Sequence, residues 1–203
     1  MELLTNGMGL SVVVFFPLIS AFIITLIPKA QEQLIKRFAL VSSLITFVLS
    51  AVLLFQFDFS SADKLQLGNK ISWIKSINAN YEIGIDGISL PLLVLSTFIT
   101  VLAIIYSIEH LPEPKSPKGF LALILVLETG MNGTFVALDL ILFFVFFEIV
   151  LLPMYFMIGI WGDKTVRTVS GFKNQIETRL YACLLYTSPS PRDNRVSRMP
   201  SSA

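Results

Sequence analysis

A single carboxylate, Glu148, stands in the middle of a long apolar run that extends from Leu138 to Gly162 and reads LDLILFFVFFEIVLLPMYFMIGIWG. A charged side chain at the centre of a membrane helix is costly, so it needs a partner, a proton or a water-filled path. Pro153 follows five residues later, and because proline has no amide hydrogen, the carbonyl of Ile149 loses its usual helical partner. An apolar span, a buried acid and an open backbone carbonyl together indicate a membrane helix that handles protons.

A second acid, Glu128, lies in the preceding apolar stretch, within the string ETGMNG. If two helices form a tight hairpin around Leu138, both acids lie about 15 Å along their helices, close to the midplane of a core roughly 30 Å thick. They could then share a proton or lie on one hydrated path, or else face opposite sides of the helix pair. Alternatively, Glu128 is a packing residue, since Gly130 and Gly133 allow close helix approach, and Thr129 and Asn132 can hydrogen-bond across helices.

The other polar residues near the span ends favour structural roles. Asp86 precedes the third span and Asp139 lies at the turn between the fourth and fifth spans, where we expect each to cap a helix. Tyr155 and Trp161 favour packing or anchoring at the membrane interface. His110 lies just past the third span and is interpreted as a surface loop histidine.

The composition indicates a multi-spanning membrane protein. Of 203 residues, 54% are hydrophobic and only 14% are charged, whereas soluble domains carry about 25% charged residues. The net charge of +1, without a basic cluster among aromatics, argues against a nucleic-acid partner. One cysteine, Cys183, and one histidine, His110, exclude an intrachain disulfide and a Cys- or His-cluster metal site. No GxGxxG, GxxxxGK[ST], HExxH or GxSxG string supports nucleotide or hydrolase chemistry.

Five apolar segments predict an all-α membrane fold. They cover residues 10–27, 38–57, 88–106, 120–137 and 138–161. The first is interpreted as a retained helix rather than a signal peptide, because no lysine or arginine precedes it and Pro17 interrupts it. Between the second and third spans, ISWIKSI and YEIGIDG alternate around Asn78-Ala79-Asn80. This pattern predicts a small β-hairpin near residues 71–86 on the outer membrane surface.

Basic residues fall mostly in the loops of one side. That side carries Lys29, Lys36, Arg37, Lys115, Lys118, Lys164, Arg167, Lys173 and Arg179. The other side carries Lys64, Lys70 and Lys75, accompanied by Asp58, Asp63, Glu82 and Asp86. Since excess lysine and arginine marks the cytoplasmic side, the N-terminus and the hairpin are expected outside. A bacterial inner (plasma) membrane is the expected location.

The composition changes abruptly at Cys183, after which the chain reads CLLYTSPSPRDNRVSRMPSSA. A disordered cytoplasmic tail would allow such a composition. The string also resembles the in-frame translation of a transposase-type sequencing adapter, an index and a flow-cell primer, and this match runs through the whole tail. We therefore interpret residues 183–203 as adapter read-through, not native protein, and residues 1–182 as a truncated antiporter-like transmembrane domain.

Three motifs carry a resemblance to a known family. They are GIDGIS before the third span, G-x-F-x-A-x-D from Gly133 to Asp139, and FFE-x-x-L-x-P-M-Y-F-x-I-G-x-WG around Glu148. These strings resemble chain 4 (chain M) of proton-translocating NADH-quinone oxidoreductase, respiratory complex I, and related antiporter-like subunits, over residues 10–182. Asn132 departs from the family, which usually carries an aliphatic residue there. Family members have about fourteen spans, whereas this chain stops after the fifth, before the helices with the channel lysines.

The resemblance implies that Glu148 is the glutamate of the fifth helix, which pairs with a lysine on a later helix and is essential for proton pumping. An acid with a movable lysine partner can be switched between states. It further implies that the flavin, iron-sulfur clusters and quinone site belong to other subunits, so no cofactor, metal or redox chemistry is expected in this chain. The implied partners are other complex I membrane subunits, especially antiporter-like neighbours, and membrane lipid, with no nucleic acid.

The resemblance therefore implies a proton-translocating membrane subunit that couples electron transfer from NADH to quinone to proton pumping. One alternative is a subunit of a multi-subunit Na⁺/H⁺ antiporter or membrane-bound hydrogenase, which shares the antiporter-like core. A second is a membrane fragment without transport activity, because the lysine half of the relay is missing. Neighbouring genes would separate the first two functions.

Overall fold

The computed structural model describes residues 8–58, 65–74, 79–110 and 117–161. These residues form, in chain order, α1 (Met8–Leu26), α2 (Glu32–Gln56), β1 (Gln66–Ile74), β2 (Ala79–Ile85), α3 (Ser89–His110), α4 (Pro117–Val136) and α5 (Leu140–Trp161). All five helices are long and apolar enough to cross a membrane. The predicted all-α membrane fold with five spans and one small hairpin is confirmed, whereas the proposed boundary at residue 182 lies outside the described residues.

Two helices extend four or more residues past the predicted spans. The second helix begins at Glu32 rather than Phe38, and the third ends at His110 rather than Tyr106. Hydropathy marks only the hydrocarbon-facing part of a helix, and a polar turn can continue beyond it. The expectation of a loop histidine is therefore wrong: His110 is the last residue of α3, exposed, with its ring stacked 4.2 Å from that of Tyr106.

Two apolar clusters hold the helices together, one near each end of the bundle. The hairpin-side cluster comprises Leu10, Val13, Val14, Leu53, Phe57, Ile83, Ile85, Leu90, Leu93, Val136, Leu142 and Phe146. The opposite-side cluster comprises Ala21, Ile24, Ile35, Ala39, Ile104, Leu121, Ala122, Ile124 and Leu125. The outer faces instead expose large apolar side chains such as Phe22, Phe55 and Tyr106. Exposed apolar surface of this extent is typical of contact with lipid.

The hairpin is attached to the turn between α4 and α5. Its strands pair antiparallel, with Lys70 opposite Glu82 and their charged atoms 2.8 Å apart. The amide of Leu138 donates to the carbonyl of Glu82 at 2.9 Å, and the amide of Asn80 donates to Asp139 Oδ2 at 3.2 Å. The first strand starts at Gln66, earlier than predicted, and the turn at residues 75–78 lies outside the described part.

Both predicted helix caps are confirmed. Asp86 Oδ1 accepts from the amides of Ile88 and Ser89 at 3.0 and 2.6 Å, at the start of α3. Asp139 Oδ1 accepts from the amides of Ile141 and Leu142 at 2.8 and 3.2 Å, at the start of α5. Backbone donors stabilise a carboxylate, first that of Ser89 for Asp86 and that of Asn80 for Asp139, so the pKa of each lies below its ordinary value.

Candidate functional site

The helix that carries Glu148 is the least enclosed of the five. In the most apolar 18-residue stretch of α5 only 17% is buried, whereas the corresponding share in α4 is 56%. Its buried side chains are Leu142, Phe146 and Pro153. Most of the α5 surface is therefore open to lipid or to further protein.

Close contact between α4 and α5 is made through two glycines. A methyl group placed on Gly130 would lie 2.7 Å from the Val150 side chain and 2.9 Å from its backbone nitrogen, and one on Gly133 would overlap the ring of Phe146. The predicted close approach at these glycines is thus confirmed. It also fixes which face of each helix is turned toward the other.

Glu148 lies on the face of α5 that is turned away from α4. It is two residues from both Phe146 and Val150, which is about 200° around a helix with 3.6 residues per turn. Its side chain is half-buried, and its Oε1 atom is buried without a hydrogen-bond partner among the described residues. This carboxylate therefore has an unsatisfied oxygen on the open side of the bundle.

The residue directly after Glu148 carries a backbone acceptor without its usual helical donor. Pro153 stands inside α5 and is buried. Because it has no amide hydrogen, the carbonyl of Ile149 lacks its helical donor, as the sequence predicts. An acid and a free carbonyl oxygen on neighbouring residues can both bind a donor such as an ammonium group or water.

Glu128 lies on the opposite, inner face of α4. It is fully buried, and neither carboxylate oxygen has a hydrogen-bond partner among the described residues. Two residues separate it from Gly130, which again is about 200° of rotation. The two glutamates thus face opposite sides of the α4–α5 pair, which was one of the two predicted arrangements, and they do not form a direct pair.

The equal depth expected for the two acids is also modified by this packing. Since Gly130 faces Val150 and Gly133 faces Phe146, antiparallel counting places Glu148 level with Asn132. Glu128 then lies one helical turn away, about 5 Å along the axis. The predicted hydrogen bonds across helices are likewise not found: Thr129 donates to the carbonyl of Leu125 in its own helix, and neither amide atom of Asn132 has a partner among the described residues.

A set of buried hydroxyl groups lies on α2 and α3 and was not predicted from the sequence. They belong to Ser42, Ser43, Thr46 and Ser50 on α2, and to Ser96, Thr97 and Thr100 on α3. The hydroxyl oxygens of Ser50 and Thr97 lie 2.8 Å apart and connect the two helices. Their spacing of three to four residues within the second and third spans is the signal that could have identified this face.

The other features carry no proton chemistry of their own. An open groove of about 730 Å³ lies between α1, α4 and α5 and is lined mainly by apolar side chains that include Phe22, Phe156 and Trp161. Neither glutamate is among its lining residues. The Trp161 ring packs against Phe120 at 5.4 Å, and Tyr155 is exposed. No group of three or more histidine, cysteine, aspartate or glutamate side chains that could hold a metal ion occurs in the described ranges.

Comparison with known proteins identifies the family. Residues 12–134 match the family profile described as "NADH-ubiquinone oxidoreductase chain 4, amino terminus", which covers more than half of the chain. The chain belongs to the NADH-ubiquinone oxidoreductase chain 4 family. Residues 137–188 match a second profile, "NADH:quinone oxidoreductase/Mrp antiporter, TM". The family resemblance inferred from the three motifs is therefore confirmed.

Individual chain 4 relatives come from cyanobacteria and plants. The chain is 36% identical over 156 residues to NAD(P)H-quinone oxidoreductase chain 4 of Prochlorococcus marinus (strain NATL2A), which is 76% of this chain and 28% of that protein. It is 36% identical over 172 residues to NADH-ubiquinone oxidoreductase chain 4 of Arabidopsis thaliana, 85% of this chain and 34% of the relative. The Marchantia polymorpha protein is 37% identical over 156 residues, 77% of this chain and 31% of the relative. The matched region therefore spans about a third of the length of these relatives.

Proposed function

We propose that this chain is the amino-terminal part of a proton-translocating subunit of NADH-quinone oxidoreductase, which couples electron transfer from NADH to quinone to proton pumping. Family membership supports this function over that of a sodium/proton antiporter or hydrogenase subunit. The observation that carries the proposal is the position of Glu148. This acid stands in mid-helix on the open face of α5, with a buried and unpartnered oxygen among the described residues.

Glu148 transfers a proton by changing between its charged and protonated forms. A cation close to the carboxylate favours the charged form, and its withdrawal in a low-dielectric site favours the protonated form. A lysine on a helix beyond the fifth span supplies this cation in the proposal. The open face of α5 supports such an arrangement, because a later helix can reach Glu148 there without displacing α1 to α4.

Glu128 is a separate acid in this scheme and not the direct partner of Glu148. The contact of Gly130 and Gly133 with α5 lies between the two carboxylates. A path that includes both acids would have to pass around α4 through intervening groups. We propose that Glu128 belongs to a hydrated region on the inner face of α4.

The electron-transfer groups and the remaining partners are assigned to other subunits. In this proposal the flavin, the iron-sulfur clusters and the quinone are bound elsewhere in the complex, and antiporter-like neighbours and lipid contact the exposed apolar faces. The proposed membrane is the bacterial inner membrane, with the N-terminus and the hairpin outside. The Nζ atom of Lys118, in the first turn of α4, donates to the carbonyl of Ile27 at 2.6 Å. This bond supports the proposal that the start of α4 and the α1–α2 loop lie on the same, basic side of the membrane.

Residues 183–203 are proposed to be adapter-derived and to take no part in this function. Their composition and their match to an adapter translation support this assignment. The source nucleotide record tests it: an adapter sequence from Cys183 onward is expected, and ordinary coding sequence there would overturn it.

The Glu148→Gln substitution in a full-length homologue tests the proton-transfer role. Glutamine keeps the size and hydrogen-bonding capacity of the side chain but cannot exchange a proton, so we expect proton pumping to be lost while the complex still assembles. Pumping is measured as pH-dependent dye quenching in inside-out vesicles, and assembly by native gel electrophoresis. Glu82→Gln, at a surface acid of the hairpin, is the control. Normal pumping in Glu148→Gln would refute the role.

A further inference from the structure

Along the buried face of α4, polar side chains in the middle are flanked by apolar side chains on both sides. Leu121 and Leu125 belong to the opposite-side cluster and Val136 to the hairpin-side cluster. Between them, on the same face at spacings of three and four residues, stand Glu128 and Asn132, both 0% exposed. Glu128 and Asn132 therefore lie between two apolar clusters.

The other inner helices show the same order. On α2, Ile35 and Ala39 at one end and Leu53 and Phe57 at the other belong to the two apolar clusters, and the buried residues between them are mostly serine and threonine. We call the buried polar residues at mid-depth the polar layer: Ser20, Ser42, Ser43, Thr46, Ser50, Ser96, Thr97, Thr100, Glu128, Thr129 and Asn132. Four helices thus contribute to one polar layer that is closed by apolar side chains at both ends.

Most hydroxyl groups of the polar layer use their hydrogen within their own helix. Thr46, Thr100 and Thr129, for example, donate to the carbonyls four residues earlier, at 3.0 to 3.1 Å. Each such hydroxyl oxygen keeps acceptor capacity. The layer therefore offers acceptors around the side chains that lack partners.

Six buried polar atoms of the layer have no hydrogen-bond partner among the described residues. They are both carboxylate oxygens of Glu128, both amide atoms of Asn132, and the hydroxyl oxygens of Ser42 and Ser96. Buried polar groups in folded proteins are bonded to protein or ordered water in the large majority of cases. So many unsatisfied atoms in one layer call for a ligand that both donates and accepts.

A later part of the chain is poorly placed to supply that ligand. Glu128 and Asn132 are fully enclosed by the described helices, in contrast to Glu148 on the open face of α5. A water molecule is small enough, makes about three hydrogen bonds in buried sites, and acts as donor and acceptor. Residues four apart on a helix have Cβ atoms roughly 6 Å from each other, a separation that one water molecule between the two side chains can bridge.

We propose that Glu128 and Asn132 bind buried water molecules, and that the polar layer is a water-binding site at the middle of the membrane. Ser42 and Ser96 are the other residues of the layer whose hydroxyl oxygens lack a partner among the described residues. No cation lies with Glu128 among the described residues, and an isolated buried charge is costly, so the protonated carboxyl is the form that fits this site. Water binding here is independent of proton transfer by Glu148.

A high-resolution cryo-electron microscopy map of the full-length chain in its complex tests the site directly. We expect water density within hydrogen-bond distance of Glu128 and Asn132, with at least two protein partners for each molecule. Direct bonds from these side chains to another part of the protein, with no such density, would overturn the proposal. So would a sodium ion coordinated by the same oxygens, which is identified by its short contacts and its loss in sodium-free buffer.

Infrared difference spectroscopy of the same complex provides a second test. The Glu128→Gln variant assigns the carboxyl band of Glu128, and its hydrogen–deuterium exchange is then followed. Asn132→Leu removes the polar atoms at nearly constant size, so the Glu128 carbonyl band should move to higher wavenumber and its exchange should slow several-fold. Asn132→Ser should preserve both signals, and Met131→Leu, at a half-buried neighbour, is the control. An unchanged band and exchange rate in Asn132→Leu would contradict the proposed water site.

Discussion

Replacing Gly133 with alanine tests how closely α4 packs on α5. The added methyl group would overlap the Phe146 ring, which is only 3% exposed and lies 6.1 Å from the ring of Phe15, so it has little room to move. Overpacking of a filled core costs about 1–3 kcal/mol, whereas alanine in place of glycine within a helix contributes about 0.5–1 kcal/mol of stability. The difference between these two ranges predicts a fall of up to about 2.5 kcal/mol in the free energy of unfolding.

The matched control is Gly159→Ala on the adjacent helix. No atom lies within 4 Å of the position that its methyl group would take, so only the helix-propensity gain of about 0.5–1 kcal/mol is expected. Unfolding in detergent, followed by circular dichroism, gives the comparison. Adding Phe146→Leu should restore part of the stability lost in Gly133→Ala, because leucine makes room for the methyl group. Equal stability of Gly133→Ala and Gly159→Ala would refute the close contact on which the opposite facing of the two glutamates depends.

Three further predictions follow from the caps, the orientation and the length of the chain. Asp139→Ala should lower stability, because it removes the cap of α5. Since the pKa of Asp139 is below its ordinary value of 3.8, the contribution of the carboxylate is present above that value and lost as pH falls further, which acid unfolding of both proteins would show. With Cys183 replaced by serine, a membrane-impermeant maleimide should label Ser72→Cys from outside and Gln31→Cys only in permeabilised cells; the reverse pattern would invert the proposed orientation. Liposomes containing residues 1–161 should show no proton flux, and measurable flux would refute the need for a later lysine.

The fold could be predicted largely from hydropathy, with errors where polar residues continue a helix. The five spans were found because each contains an apolar run of sufficient length. The first turns of α2, which include Lys36 and Arg37, were missed because they are helical but not apolar. The hairpin was found from its alternating residues around residues 71–85, whereas Gln66 to Asn69 escaped because the strand there is irregular and Leu67 has a positive φ of 54°.

The residues of the candidate site were predicted from the sequence, but the helix faces on which they lie were not. Sequence spacing placed Glu128 and Glu148 at one depth, whereas the packing separates them by about one helical turn. Their direction around the helix depends on which face packs. The glycines indicate this direction. If Gly130 and Gly133 form the face of α4 that contacts α5, Glu128 must lie on nearly the opposite face of α4. The polar layer was missed for a different reason, since serine and threonine are nearly neutral in hydropathy and do not interrupt an apolar span.

The two glutamates differ most in what surrounds them. Glu128 is fully buried among the described helices, whereas Glu148 is half-buried on α5, where only 17% of the most apolar 18-residue stretch is buried. The matched region makes up 28% of the Prochlorococcus relative and 34% of the Arabidopsis relative. The infrared signal of Glu128 should consequently be the same in a fragment of residues 1–161 and in the full-length complex. The signal of Glu148 should change when the later helices are present. A change at Glu128 alone would mean that the later helices enter the polar layer, and the water site would then have to be abandoned.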